Sequence, residues 1–214
     1  MPMITGSGVS CDVVGSGVVE DGVDGGGGVT GKEGMSDVDI VKSLDVLEAS
    51  GINFLALDFD LTVLSIHTGG NWQGTAEELL PLVRPVFLDL VAEALKRGMC
   101  VAIVTFSPQV CVVREVVRLC WPRHCDSMPI RGGDRTWSYE GAGSKAGKQG
   151  HMASAVEELL AQDPNREITR ASTLLVDDDA NNVNTALKEG VRAIWLNPDE
   201  PDSLLPNILE LLGT

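Results

Sequence analysis

Short apolar runs separated by stretches of helical periodicity constrain this chain more than any other feature. Asn53-Phe-Leu-Ala-Leu-Asp58, Met99 to Thr105, Ser172 to Val176 and the weaker Val191 to Leu196 each have the length of a single strand. Continuous rather than alternating apolarity marks strands covered on both faces. Helical patterns lie between them, at about Ala76 to Arg97 with a break at Pro85, at Pro108 to Cys120, at Gln149 to Ala161 and at Asn181 to Glu189. Another precedes the first run, with an N-cap at Ser36, early Asp37 and Asp39, apolar Ile40, Val41, Leu44, Val46 and Leu47, and a stop at Gly51. Repeated alternation of strand and helix predicts an α/β fold built on a doubly wound parallel sheet. Ligands of such sheets bind beyond the carboxyl ends of the strands, so the polar residues that end each run are where function is read.

The first run ends in Asp58-Phe-Asp60-Leu-Thr62, and period-two alternation puts Asp58 and Asp60 on one side at the mouth of the sheet. Two carboxylates so close repel unless a cation or proton sits between them, which points to a hard-metal site with acid/base chemistry. The third run ends in Asp177-Asp178-Asp179, followed by Asn182, whose neutral amide can hold a carboxylate without adding charge. Each segment alone also reads as a solvated Asp-rich loop or a helix start. Two acid clusters on parallel strand ends are hard to explain without a bound cation.

This pair of clusters resembles the haloacid dehalogenase (HAD) superfamily, whose first motif is Asp-x-Asp-x-Thr/Val after an apolar strand and whose fourth is an acidic pair after another. The second motif, an apolar strand ending in Ser or Thr, matches Val101-Ala-Ile-Val-Thr105, and the third, a basic residue near a helix start, matches Lys148, with Lys145 as its rival. Gly147-Lys148-Gln-Gly-His151-Met and Val176-Asp-Asp-Asp-Ala-Asn-Asn182-Val look most like the magnesium-dependent phosphatases of that superfamily. The resemblance covers about Asn53 to Leu196. It implies a HAD-like Rossmannoid fold, with Asp58 as the nucleophile that forms an aspartyl-phosphate and Asp60 as the acid/base group. Thr105 would donate its hydroxyl proton to a phosphate oxygen, and Lys148 would neutralise the negative charge of the group. Mg²⁺ would be held by Asp58, the backbone carbonyl of Asp60 and Asp178, with Asp177 behind them or as an alternative ligand. A carboxylate at Asp60 argues against dehalogenation, and Phe59 stands where the transport-ATPase version carries Lys.

Large caps over this fold follow the first motif or lie between the second and third. The 23 positions from Thr62 to Pro85 and the 43 from Thr105 to Lys148 leave no room for one, since the longer gap must already house a helix and a strand near Ser127 to Ile130. The expected enzyme is therefore capless and hydrolyses a phosphorylated small molecule, such as a sugar phosphate, or a phosphoprotein. Two loops would set specificity. One is His67-Thr-Gly-Gly-Asn71-Trp72-Gln-Gly74, in which Trp72 would cover substrate; the other runs from Arg131 through Arg135 to Tyr139, where the arginines would meet an anionic group. Asp60 already fills the acid role, so His67 reads as a bystander.

Sixteen basic against 31 acidic residues give a net charge of −15. Such a field repels phosphodiester backbones and anionic headgroups, disfavouring nucleic-acid partners and the alternative of a polynucleotide end phosphatase. A catalytically silent scaffold is the other alternative, weakened by the presence of all the motif residues. Five cysteines without a C-x-x-C pair fit a reduced, cytoplasmic setting, and no apolar run approaches the ~20 residues of a membrane span. Residues 1–35 carry 11 of the 24 glycines and read as a disordered, Gly-rich acidic tail, leaving 36–214 as one phosphatase domain.

Overall fold

The computed structural model describes residues 37–213, so the tail and the Ser36 cap lie outside the described residues. Helix α1 (Asp37–Ala49) leads into β1 (Phe54–Leu57), and the chain continues through α2 (Pro85–Lys96), β2 (Cys100–Val104), α3 (Val110–Cys120) and β3 (Ile130–Arg131). It then passes through α4 (Gln149–Gln162), β4 (Thr173–Asp177), α5 (Ala180–Lys188), β5 (Arg192–Trp195) and α6 (Leu204–Leu209). The five strands form one sheet of order β3-β2-β1-β4-β5, with every pair parallel. This is the doubly wound α/β architecture read from the sequence.

Both faces of the sheet are covered because alternate strand residues point opposite ways. Leu55, Leu57, Val101, Ile103, Leu174 and Val176 join one core with Leu44 and Leu47 of α1, Phe87 and Leu90 of α2, Val113 and Val117 of α3, and Ile208 of α6. Phe54, Ala56, Ala102, Val104 and Leu175 form a second, smaller core with Met152, Ala155 and Leu159 of α4 and Ala186 of α5. Alanines on both sides of that second interface keep it thin. The winding reverses at β1: β2 and β3 lie to one side of it, and the chain returns through α4 to place β4 and β5 on the other. The crevice at such a reversal, beyond the carboxyl ends of β1, β2 and β4, is where a ligand fits.

Three elements differ from the sequence expectation. The pattern at 76–97 is two pieces, a 3₁₀ turn at Glu77–Leu82 and then α2, and Pro85 begins the second as its first residue instead of interrupting one helix. Its missing N–H is no loss there, because the first turn has no intrahelical acceptor for it. The strand expected near 127–130 is shorter and later, with Ile130 and Arg131 pairing Ile103 and Val104 after a 3₁₀ turn at Cys125–Ser127. The C-terminal helix α6 was not anticipated; its buried Leu204, Leu205 and Ile208 close the larger core. Among the described residues the segments after β1 and β2 hold no inserted domain, and no helix is long and apolar enough to cross a membrane.

Candidate active site

Asp58 is the residue at which β1 ends and a wide turn begins. Val63 N–H donates to the carbonyl of Asp58 (3.4 Å) and Leu64 N–H to that of Phe59 (2.8 Å), so each bond spans five residues. Asp60 is extended inside the turn, and Leu61 takes a left-handed φ of +58°, which costs a branched side chain about 1–2 kcal/mol. Buried Arg84 holds that strained residue, its Nη2 donating to Leu61 O (3.3 Å) and to Pro198 O (3.2 Å). The turn, more than strand alternation, brings Asp58 and Asp60 to the same cavity.

Lys148, just before α4, is 1% exposed, and its Nζ donates to Asp58 Oδ1 (2.7 Å) and to the carbonyl of Val104 at the end of β2 (2.9 Å). The ring of Phe106 covers it, with the centroid 4.0 Å from Nζ. Gly147 makes the approach possible: its φ of +54° suits glycine, and a Cβ there would lie 3.1 Å from Asn182 Oδ1. The rival Lys145 points elsewhere, over the Tyr139 ring and toward Glu140.

Oxygens of Asp58, Asp177 and Asp178 lie within 4.8 Å of one another. Burial pushes the Asp58 carboxyl up to about 7, Lys148 opposes this, and the neighbouring carboxylates add to it. Asp177 is raised in the same way, burial again being the main cause. Asn182 Nδ2 donates to both Asp177 oxygens (3.1 Å each), while Thr62 Oγ1 donates to Asp178 Oδ1 (3.3 Å). Asp179 is spent differently, capping α5 through the Asn181 amide (2.8 Å). The Asp60 carboxylate stands outside this cluster, where the Thr68 hydroxyl contacts both its oxygens and His67 Nδ1 is 3.3 Å from Oδ2. Any role of Asp60 in holding a cation therefore falls to its backbone carbonyl.

Asp58, Asp60, Lys148, Asp177, Asp178, Asp179 and Asn182 line a cavity of about 450 Å³ together with Thr105, Phe106, Ser107, Pro108, His67 and Gly69–Gly70. Thr105 Oγ1 accepts from Ser107 N–H (3.1 Å), leaving its own proton to donate. His151 sits behind Phe106, packed edge-on against it and Trp137, and its imidazole is held down to about 4 by burial and by Lys148 and Arg131.

Of the residues singled out in the sequence, Asp58, Asp60, Thr105, Lys148, Asp177 and Asp178 meet here, and Trp72, Arg131 and Arg135 do not line the cavity. The Trp72 indole donates to Thr75 O and packs on the core beneath its loop. Arg131 is engaged by Ser154 (2.9 Å from Nε to Oγ) and Glu158 (2.7 Å), and Arg135 is exposed at φ +62°. Sequence reading missed Phe106, Ser107 and Thr68. Proximity to Thr105 pointed to the first two, and the third lay inside the His67 to Gly74 loop without being singled out.

No protein-family model and no curated protein matches the chain. Among solved structures it is similar to an uncharacterised protein of Corynebacterium glutamicum (17% identity over 75% of this chain and 96% of that one, TM-score 0.44). It is also similar to the N-terminal part of a Bacteroides fragilis protein, which contains a phosphatase domain and was crystallised with Mg (16% identity, TM-score 0.48). That match covers 81% of this chain and 43% of the Bacteroides one. Likeness at this level carries no functional information.

Proposed function

We propose that this chain is a Mg²⁺-dependent phosphatase that passes the phosphoryl group of a monoester to Asp58 and then to water. One observation carries the reading: a buried lysine bonded to the first of three clustered carboxylates, in a cavity at the switch point of the sheet. Phosphoryl transfer needs a nucleophile, an acid/base group and positive charge around the transferred oxygens. The donor set is all oxygen, as Mg²⁺ prefers, and burial raises Asp58 and Asp177 against the pull of Lys148, so a further cation would favour their ionised forms. Asp58, Asp178 and the Asp60 carbonyl would hold the ion, with Asp177 behind them. When bound, it would neutralise Asp58 and the phosphoryl oxygens.

The protein's own groups divide the remaining work. An Asp58 oxygen attacks phosphorus, the bond to the leaving oxygen breaks, and Asp60 supplies that oxygen's proton. Asp60 then takes a proton from the water that cleaves the acyl-phosphate, which returns Asp58 as a carboxylate. Lys148 has three protons, two of them used by Asp58 and Val104 O, so the third is available to a phosphoryl oxygen. Thr105 would donate to another. With no inserted domain among the described residues, sugar phosphates and phosphoproteins are both substrates of suitable size.

Phosphate release from p-nitrophenyl phosphate is expected with Mg²⁺ and lost in excess EDTA. Asp58→Asn should abolish the covalent phosphoenzyme seen by intact mass after acid quench. Turnover undiminished in chelator, or by Asp58→Asn, refutes the reading.

A further inference from the structure

We propose that Thr68 is the positioning residue of the acid/base group, holding the Asp60 carboxyl toward the leaving oxygen; this rests on the phosphatase reading above. The Thr68 hydroxyl lies 2.9 Å from each Asp60 oxygen. Gly70 N–H donates to the same Oγ1 (3.3 Å), which occupies one lone pair and leaves the hydroxyl proton for the carboxylate. A hydroxyl suits both halves of the reaction. It donates to Asp60 when the carboxylate is ionised, and its second lone pair accepts from Asp60 when the group carries the proton.

His67 is the nearer competitor by charge, and hydrogen bonding removes it from the role. Its Nδ1 already accepts from Gly69 N–H (2.8 Å), so that nitrogen is unprotonated and has no hydrogen to offer Asp60 Oδ2 at 3.3 Å. Thr68 is thus the side chain that donates to Asp60.

The loop that carries Thr68 is anchored from the far side of the cavity. The Gln109 amide pairs with the backbone of Trp72 as a strand would, accepting from its N–H (2.5 Å) and donating to its carbonyl (2.9 Å). Gly70 packs so closely on Pro108 that a Cβ would stand 2.7 Å from Pro108 Cδ. The segment after β1 is thereby fixed to the segment after β2, and Thr68 is delivered to Asp60 at a set height above the cavity.

The test compares leaving groups. On an alkyl phosphate such as glycerol 2-phosphate, departure needs a proton, and Thr68→Val should lower kcat about ten-fold with KM little changed. On p-nitrophenyl phosphate, whose leaving group departs unprotonated, the same variant should lose less than about two-fold. Thr68→Ser, which keeps the hydroxyl, should recover most of the alkyl-phosphate rate. Equal losses on the two esters, no recovery by Ser, or a leaving-group-dependent loss in His67→Ala instead would overturn the assignment. Wild-type protein silent on both esters sinks the phosphatase reading and this inference with it. Active wild type with an indifferent Thr68→Val sinks this inference alone.

Discussion

Raising the pH of cation-free protein from 5 to 8 should weaken its fold, and Mg²⁺ should restore it by an amount that grows across the same window. Asp58 is pushed up from 3.8 to about 7, chiefly by burial. A folded pKa above the unfolded one means that the native state holds the proton more tightly. The associated stability is complete below about pH 4 and is lost as pH climbs to about 7. A rise of that size corresponds to roughly 4 kcal/mol, and Asp177 shifts the same way. Mg²⁺ held by the ionised carboxylates would supply the charge that burial denies them. At about 2–4 °C per kcal/mol for a chain of this length, the gap in Tm between saturating Mg²⁺ and EDTA should approach ~10 °C at pH 8 and fall to roughly 4 °C by pH 5. Circular dichroism melts at four pH values in each buffer measure it, and Asp58→Asn should flatten the dependence. A gap of the same size at pH 5 and pH 8, or one that Asp58→Asn leaves intact, would refute the account of the cluster.

Arg131→Ala should cost about 1–2 kcal/mol, because the side chain is 12% exposed and its removal leaves the buried Ser154 hydroxyl without that partner, while Glu158, 41% exposed, is taken up by water. KM for p-nitrophenyl phosphate should stay unchanged; a higher KM without a lower Tm would put Arg131 on the substrate after all. The cavity presents Asp58, Asp60, Asp177, Asp178 and Asp179 against the single lysine Lys148, so a dianionic substrate approaches against the field. Raising NaCl from about 10 to 150 mM at saturating Mg²⁺ should therefore increase kcat/KM several-fold, and a decrease would mean that a positive surface guides the substrate.

The sheet was legible because its strands are short, doubly buried and punctuated by polar ends. Phe54 and Ala56 fall to one face and Leu55 and Leu57 to the other, as the pleat requires. What stayed hidden depends on contacts between distant segments. Arg131 reads as a loop anion binder until α4 places Ser154 and Glu158 against it, 23 and 27 residues away. Trp72 reads as a substrate cover until Gln109, 37 residues on, takes its backbone. Helix α6 carries Pro206 and follows Pro201, which obscures its periodicity, yet three apolar side chains suffice to bury it.

Three consecutive aspartates pose the sharper problem, since sequence cannot divide labour among identical neighbours. Backbone direction does it. Asp177 is the last residue of β4 and points into the sheet's end, where it is 1% exposed and must be met by the Asn182 amide and Asp179 N–H. Asp178 emerges half-buried into the cavity, where Thr62 reaches it, and Asp179, exposed at the edge of the cavity, caps the start of α5. The same reasoning separates Lys148 from Lys145. A left-handed Gly147 turns the chain inward two residues before α4, so Lys148 after it enters the cavity while Lys145 before it stays in solvent. The arrangement of this site is thus set by where strands stop and glycines turn, with residue type supplying only the candidates.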